Sequence, residues 1–300
     1  MSSIGFGIHL PTHGRYSYRD IVEVSIAADR LGFDTLWVGD HFYLPRRFYE
    51  GTGGDPSKPD KLDAWTLLSA IACYTERIRL GPRVSPLPFY NPGRLAKMVA
   101  TVDIISGGRV NFGIGAGWFR REAISYGVGW GSHEERISRM IEALEIIVKL
   151  WVSDSSVTYQ GRYYSVVKAP FWPKPLQKPY PPVWVGGSSD RIIEVAVRYG
   201  VGILPMSNTS IDRFRDLVRR VSEASRGRVI SIVPSFTYPD GLGRKLSEWR
   251  SKIDEYIEAG ADGIIIDFSM TNVPLGEAVS MLREFSASIF PEYRSTSYSL

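Results

Sequence analysis

The stretch WVGDHFYLP, Trp37 to Pro45, places an acid and a histidine directly after a short apolar run. Asp40 and His41 are a titratable pair of the kind that general acid–base chemistry uses. A carboxylate beside an imidazole orients the ring and favours its protonated form, which suits proton transfer near neutral pH. Adjacent residues of a strand point to opposite faces, so the pair acts together only if the chain turns here. An aspartate that bonds the turn, followed by a surface histidine, explains the same residues without chemistry.

Two glycine-rich segments offer backbone donors for an anion. GIGAGW leaves one predicted strand, and VGGSSDR leaves another and enters a helix. The free N–H groups and the positive dipole end of a helix form a ready site for a phosphate or a carboxylate. Ser188 and Ser189 add hydroxyl donors. A Ser189 that only caps the helix is an equally good interpretation, and GIGAG lacks the spacing of the dinucleotide fingerprint.

Two other kinds of site are disfavoured. No predicted strand ends in a lysine, which argues against a Schiff-base design that needs a desolvated amine. His9, Asp40, His41 and Asp267 are candidate metal ligands. However, IHLPTH lacks the His-x-His spacing that would direct two imidazoles to one face of a strand. We therefore expect no metal site.

Short β-rich runs alternate with amphipathic segments from one end of the chain to the other. The runs are nearly continuous in Val, Ile and Leu, as in parallel strands buried on both faces. Predicted strands cover residues 4–10, 34–39, 78–84, 109–115, 182–187, 200–206, 228–234 and 262–268. Predicted helices cover residues 17–31, 62–76, 92–106, 132–150, 190–199, 211–226, 245–259 and 275–290. Eight alternating units predict an α/β fold, a (β/α)8 TIM barrel in one domain over residues 1–300, with its active site at the carboxyl ends of the strands.

Two predicted connections are longer than the others. Residues 42–61 follow the second strand, and residues 152–181 precede the fifth. Long loops in compact domains are usually lids or binding segments. The second insertion contains a predicted short hairpin around Gly161, and its prolines indicate a fixed path.

The composition is that of a globular chain. Hydrophobic residues make up 44% and charged residues 23% of the 300 positions, which is enough to bury a large core. The net charge of +4 is spread along the chain, so we expect a small-molecule substrate and no nucleic acid. Cys73 lies in an apolar stretch and is expected to be buried. We expect a cytoplasmic protein without a membrane partner, since no stretch reaches the roughly 20 apolar residues of a membrane span.

Four segments follow one another along the chain: GFDTLWVGDHF, the run from Ile78 to Gly127, YQGRYY and PPVWVGGSSDR. Together they resemble the bacterial luciferase-like family of flavin- and deazaflavin-dependent oxidoreductases over nearly the whole chain. The resemblance implies a (β/α)8 barrel, often a homodimer, that binds FMN or coenzyme F420 at its mouth. The Asp-His pair resembles the deazaflavin branch. That branch implies that His41 faces the substrate and that Asp40 lies by the cofactor.

The same resemblance assigns a cofactor site. It implies a cis peptide between Arg83 and Val84 at the end of the third strand. It also implies that GIGAGW lines the ring and that VGGSS holds the phosphate of the cofactor side chain. The implied cofactor-binding residues are Asp40, Arg83, Val84, Ser85, Ala116, Gly117, Trp118, Gly186, Gly187, Ser188 and Ser189.

One departure from the family pattern concerns the proton donor. The sugar-phosphate and alcohol dehydrogenases of the deazaflavin branch have a glutamate where this chain has Trp118. They also have a tryptophan after the Asp-His pair, where this chain has Phe42, Tyr43 and Pro45. Their substrates are therefore not carried over to this chain.

Glu122 follows four residues after the missing glutamate. It is a candidate for the missing role, but a helix-facing role, or a pairing with Arg120 or Arg121, explains it as well. Three interpretations of function stay open. The chain transfers hydride between coenzyme F420 and an organic substrate, or it is an FMN-dependent monooxygenase that acts through a flavin peroxide, or it is a flavin-binding relative without catalysis.

Overall fold

Strands and helices alternate along the chain in a computed structural model that describes residues 4–294. The strands are β1 (Gly5–Leu10), β2 (Thr35–Val38), β3 (Arg79–Pro82), β4 (Ser85–Pro86), β5 (Phe112–Gly115), β6 (Val157–Gln160), β7 (Ser165–Ala169), β8 (Val183–Gly186), β9 (Gly202–Leu204), β10 (Ser235–Thr237) and β11 (Gly263–Asp267). All pairs except β6 with β7 are parallel. The predicted α/β fold with parallel strands is confirmed.

The helices are α1 (Tyr18–Leu31), α2 (Arg46–Gly51), α3 (Ala64–Tyr74), α4 (Pro92–Ile105), α5 (Arg120–Ser125), α6 (His133–Val152), α7 (Asp190–Tyr199), α8 (Ile211–Ser225), α9 (Leu246–Glu258), α10 (Leu275–Ser288) and α11 (Phe290–Tyr293). A short 3-10 turn covers Leu87–Phe89. All eight predicted helices are present within about two residues at each end, which is the usual uncertainty of helix boundaries. Local capping explains this accuracy, because Ser17 and Asp20 form a capping box on α1 and Gly32 ends that helix in the left-handed region.

The parallel strands form two sheets. One has the order β10-β11-β1-β2-β3, and the other has the order β4-β5-β8-β9. Isolated parallel bridges join Leu80 of β3 to Val110, just before β5, and Ile203 of β9 to Ile232, just before β10. The antiparallel pair β6 and β7 is the predicted hairpin around Gly161, which is thereby confirmed. Among the described residues, no helix is both long enough and apolar enough to cross a membrane.

Two predicted strands differ from the structure. The predicted strand 228–234 is wrong in its bounds, because the regular pairing begins only at Ser235. The chain leaves α8 through Arg226 and Gly227, both at positive φ, and the following Val229 is 88% exposed. Pro234 has no N–H to donate to a ladder. The predicted strand 78–84 is divided into β3 and β4, and the peptide bond between Arg83 and Val84 is cis, as the resemblance implies.

Alternate side chains of the strands pack into different clusters. Phe6, Ile8 and Leu36 belong to the large core shared with the helices. Trp37, Leu204 and Ile265 form a separate buried cluster on the opposite strand faces, with Val84 and Trp184 packed against it. The rings of Trp37 and Trp184 meet edge to face, with centroids 6.0 Å apart. Because they come from different sheets, this cluster holds the two sheets together.

The glycines of β5 and β8 make room for one side chain. A Cβ on Gly115 would lie 2.5 Å from Val84 Cγ2, and a Cβ on Gly186 would lie 2.9 Å from the same atom. Neither glycine has a positive φ, so the requirement is for space. Part of the role of these two glycines is therefore to accommodate Val84, which the sequence interpretation did not include.

The expectation of a buried cysteine is wrong. Cys73 is exposed. Helix α3 turns Leu68, Ile71 and Ala72 toward the core, while position 73 faces away from it. An apolar run predicts that a helix is buried, but it does not predict which of its residues lie on the outer face.

We expect Gly115→Ala to lower the free energy of unfolding by about 1–3 kcal/mol, because the added methyl group overpacks against Val84. Urea denaturation measures this change. Gly276→Ala is the control, since nothing lies within 4 Å of a Cβ there, and it should be neutral or stabilising by up to about 1 kcal/mol. Adding Val84→Ala to Gly115→Ala should recover part of the loss, and strictly additive losses would contradict the proposed contact.

Candidate active site

His41 lies directly beyond β2, and its ring is held by a carboxylate from a distant part of the chain. His41 Nδ1 is 2.8 Å from Glu122 Oε2. Glu122 is fully buried, and its Oε1 accepts a hydrogen bond of 2.6 Å from the N–H of Phe42. A carboxylate only accepts, so Nδ1 carries the proton. Nε2 is then the ring nitrogen that is left for a substrate, since the described residues provide it with no partner.

Two expectations about this histidine are wrong. The carboxylate that orients His41 is not Asp40, and Glu122 pairs with His41 and not with Arg120 or Arg121. The short helix α5 explains the second error, because it exposes both arginines and buries Glu122 together with Ala123. The signal for Glu122 in the sequence was its neighbour Ala123, a small apolar residue that the structure also buries. The partner of Glu122 lies 81 residues away, which no local pattern reveals.

Asp40 points to the other side of the chain, into a buried hydrogen-bond network. Its carboxylate accepts from the Ser85 hydroxyl and, at 2.9–3.0 Å, from the Tyr90 hydroxyl. Trp65 Nε1 donates in turn to Ser85 Oγ at 3.1 Å. Burial raises the pKa of Asp40, and the bonds from Ser85 and Tyr90 oppose that rise. Ser85 and Asp40, both named from the sequence as cofactor-binding residues, contact each other, whereas Trp65 and Tyr90 were missed.

Arg83 and Asp267 are the charged groups of a second buried network. The Arg83 guanidinium donates to Pro205 O at 2.6 Å, to Ser235 Oγ at 2.7 Å and to Ser207 Oγ at 3.2 Å, and it lies 3.7 Å from Asp267. Although burial would raise the pKa of Asp267, His9, Arg83 and the Ser207 hydroxyl together hold it well below its usual range. Burial lowers the pKa of His9, so we take the positive partner of Asp267 at neutral pH to be Arg83. Arg83 is thereby occupied within the protein.

A third polar group lies after β1. The rings of His9 and His13 are 6% and 2% exposed. His9 Nε2 and both ring nitrogens of His13 have no hydrogen-bond partner among the described residues. Burial and the charges of Lys61, His9 and His41 lower the pKa of His13 to about 3. The sequence pattern suggested His9 only as a metal ligand. No group of three or more metal-binding side chains is found within residues 4–294.

The glycine-rich segments lie at the ends of β5 and β8. Gly117 has φ +80°, and Trp118 beyond it meets the His41 ring edge to face at 5.6 Å. Ala116 is buried and Trp118 is half exposed. The site therefore joins the predicted residues Trp118 and His41.

The segment after β8 is more open. Gly187 has φ +121° and its N–H bonds Leu204 O at 3.0 Å. Ser188 and Ser189 are exposed at the start of α7. Ser189 is the N-cap residue by position, but its side chain makes no capping hydrogen bond. Its hydroxyl therefore does not serve the helix end.

Comparisons with known proteins give a family and a fold. A family model described as luciferase-like monooxygenase matches residues 3–240. The chain is 34% identical over 205 residues to an F420-dependent glucose-6-phosphate dehydrogenase of Amycolatopsis mediterranei, which covers 67% of this chain and 57% of that protein. It is 36% identical over 168 residues to an uncharacterized protein of Mycobacterium tuberculosis, covering 54% of this chain and 58% of that protein. The chain thus spans little more than half the length of these relatives.

Solved structures share the fold over nearly the whole chain. A crystal structure of the monooxygenase RslO1 from Streptomyces bottropensis superposes with a TM-score of 0.81 at 22% identity, covering 97% of this chain and 100% of that chain. An F420-dependent secondary alcohol dehydrogenase in complex with an F420-acetone adduct superposes with a TM-score of 0.80 at 20% identity, covering 97% and 99%.

We expect His13 to make the protein less stable in acid. As pH falls below about 6.5, the unfolded chain takes up a proton at His13, whereas the folded chain resists it until about pH 3. Stability is therefore lost as pH falls through this window, by about 1.4 kcal/mol per pH unit for one group.

Urea denaturation at several pH values between about 5 and 7 measures this slope. His13→Gln should reduce the slope by one proton, and His133→Gln, which changes an exposed histidine, should leave it unchanged. Equal slopes for the wild type and both variants would rule out a buried neutral His13.

Proposed function

Because this chain belongs to the luciferase-like monooxygenase family, we propose that it is an oxidoreductase that transfers hydride between coenzyme F420 and an organic substrate. The contact between His41 and Glu122 carries the proposal. It is a hydrogen-bonded imidazole and carboxylate at the carboxyl end of β2, with one ring nitrogen left free for a substrate. The F420-dependent relatives favour the deazaflavin over FMN.

We propose that the two sheets form one (β/α)8 barrel in a single domain over residues 1–300. The isolated bridges at Leu80–Val110 and Ile203–Ile232 support this, because they lie at the two places where the sheets adjoin. The cluster of Trp37 and Trp184 between the sheets also supports it. Residues 42–61 and 152–181 would be insertions into this barrel, and the first contains α2 beside the mouth.

The residues at the mouth fit a planar ring that carries a phosphate. Ala116, Gly117 and Trp118 would border the ring, with Val84 and Gly186 beneath it. The exposed hydroxyls of Ser188 and Ser189, next to Gly187 and the first turn of α7, would bind the phosphate. Asp40, Arg83 and Ser85 are engaged in buried networks, so they would shape this site from behind. When bound, the deazaflavin supplies or accepts hydride.

The residues of the chain manage the proton that accompanies the hydride. Oxidation of an alcohol releases the hydroxyl proton as the C–H bond is broken, and His41 Nε2 is the group placed to accept it. In the reverse direction, the protonated ring returns a proton to the carbonyl oxygen. Glu122 is a positioning residue: it fixes the Nδ1–H tautomer and stabilises the ring when it becomes positive. Its second oxygen, Oε1, accepts a hydrogen bond from the Phe42 N–H, so Glu122 also fixes the backbone of the turn after Asp40.

The substrate of the relatives is not extended to this chain. Trp118 stands where the sugar-phosphate dehydrogenases have a glutamate, and it packs against His41. Trp118 has no acidic proton to give, so the proton-transfer role falls to His41. The homodimer and the cytoplasmic location stay predictions.

We expect the purified protein to bind the deazaflavin, and titration followed by fluorescence quenching measures the affinity. Ser188→Ala combined with Ser189→Ala should weaken binding by about tenfold, because two hydroxyl donors to the phosphate are lost. Ser222→Ala, on the exposed side of α8, is the matched control and should bind like the wild type. Tight binding of FMN with none of the deazaflavin would overturn the proposal and favour the monooxygenase interpretation.

We expect His41→Ala to lower kcat by about 10²- to 10⁴-fold while the deazaflavin still binds, because only proton transfer is removed. Glu122→Gln should lower kcat less and also displace the pH–rate profile, since the lost charge disfavours the protonated ring. Glu258→Gln, an exposed acid on α9, is the control. If Glu122→Gln changed kcat with no shift of the profile, its role would be structural support only.

A further inference from the structure

The mouth contains polar side chains that the proton-transfer machinery does not use. His9 Nε2 and both ring nitrogens of His13 are buried without a hydrogen-bond partner in the described part of the chain. A buried polar atom without a partner costs stability. Each such group in a folded protein needs an explanation, such as a bound water, an ion or a ligand that supplies the missing partner.

Lys61, the last residue of the 42–61 segment, lies beside these histidines. Its ammonium group donates to the Thr12 hydroxyl, and the adjacent N–H of Leu62 bonds Thr12 O at 2.9 Å. The 42–61 segment is thereby tied to the loop that carries His13. No carboxylate of the described residues lies within ion-pair distance of Lys61, unlike most of the buried charges. Lys61 therefore has a hydroxyl partner but no counter-ion in contact.

The side chains of Lys61 and His9 both approach Gly39. A Cβ built on Gly39 would lie 3.5 Å from Lys61 Nζ and 3.9 Å from His9 Nε2, with no other non-neighbouring atom within 4 Å. There is thus room for at least a methyl group beside the cation and the imidazole nitrogen. Gly39 directly precedes Asp40 and His41, so this space adjoins the proton-transfer residue.

We propose that Lys61 and His13 bind an oxyanion of the substrate, a carboxylate or a phosphate, next to Gly39. The ammonium group supplies charge and up to three donors, and the neutral imidazole of His13 supplies one N–H. His9 lies beside this site without donating to it, because its Nδ1 faces Asp267 at 3.1 Å and carries the proton of the neutral ring. An oxyanion accepts several hydrogen bonds and carries the counter-charge that Lys61 lacks in contact. This inference rests on the proposed function in that the oxyanion would belong to the molecule whose proton His41 exchanges.

A purely structural role for Lys61 fits the contacts less well. The titratable groups around it are Asp40, Asp60, Glu122, His9 and His13. The carboxylates Asp40 and Glu122 already have hydrogen-bond partners of their own. Burial lowers the pKa of Lys61 to about 8 despite the attraction of the three acids. A bound oxyanion would stabilise the protonated lysine, so binding should be strongest below about pH 8 and should weaken above it.

Isothermal titration of the cofactor-free protein with inorganic phosphate and with sodium acetate, at constant ionic strength, tests the proposal. We expect at least one of these anions to bind the wild type, and Lys61→Met to weaken that binding by about tenfold or more, since a charge-assisted hydrogen bond is lost. Lys58→Met, an exposed lysine of the same segment, should bind like the wild type. The anion that binds more tightly identifies the oxyanion as phosphate or carboxylate.

A second variant and a pH series test the same site without relying on the folding of Lys61→Met. Gly39→Ala places a methyl group beside Lys61 and His9 and retains every charge. It should therefore weaken anion binding even if Lys61→Met proves unstable. Acetate keeps one charge between about pH 6.5 and 9.5, so its affinity should fall as pH rises through about 8.

The proposal is overturned if the wild type binds neither anion, or if Lys61→Met and Gly39→Ala both bind like the wild type. Either result would leave bound water as the partner of the two histidines. The measurement needs neither coenzyme nor turnover. Failure here with a successful deazaflavin titration would remove the oxyanion site alone, and the reverse would remove the proposed hydride transfer.

Discussion

The alternation of side chains along the parallel strands is the constraint from which the site follows. Every second residue of a strand packs under the helices, and the residues between them face the opposite strands. Beyond β2 this alternation sends Asp40 toward Trp65, Ser85 and Tyr90, and it sends His41 toward Glu122. Two neighbours in sequence thereby enter two separate networks. The acid is held in a buried network by Ser85 and Tyr90, while the imidazole contacts Glu122 through Nδ1.

The buried polar groups at the mouth differ in how many hydrogen-bond partners they have. Asp267 and Arg83 are buried but have several hydrogen-bond partners, as buried charges require. His9 Nε2, His13 and Lys61 lie nearby with few partners or none. Removing one partner from the first group would leave a charge unpaired. In the second group, Lys61 is a cation with no carboxylate of the described residues in contact, and His9 Nε2 and His13 are neutral nitrogens without a partner there. In the proposed function, the first group maintains the shape of the site and the second group supplies polar atoms for a ligand.

Glu122 bears on the difference from the dehydrogenase pattern, in which Trp118 replaces a glutamate. With Trp118 in place of a glutamate, an acid is lost at the rim, but a carboxylate four residues later is buried against His41. Burial in contact with a single imidazole makes this carboxylate an orienting group. It cannot itself reach a substrate while both of its oxygens are engaged.

Patterns in the sequence were enough to predict the alternating elements, most helix ends, the hairpin around Gly161 and the place of the Asp-His pair. Each of these depends on local periodicity, on capping residues such as Ser17 and Gly32, or on a resemblance that includes the cis peptide at Arg83. The tertiary structure alone decided that Glu122 is the partner of His41, that Gly115 and Gly186 make room for Val84, and that Lys61 faces His9 beside Gly39. These contacts join residues that are tens of positions apart in the chain. Only the packing of strands against one another sets such distances, and no periodic pattern in the sequence encodes them.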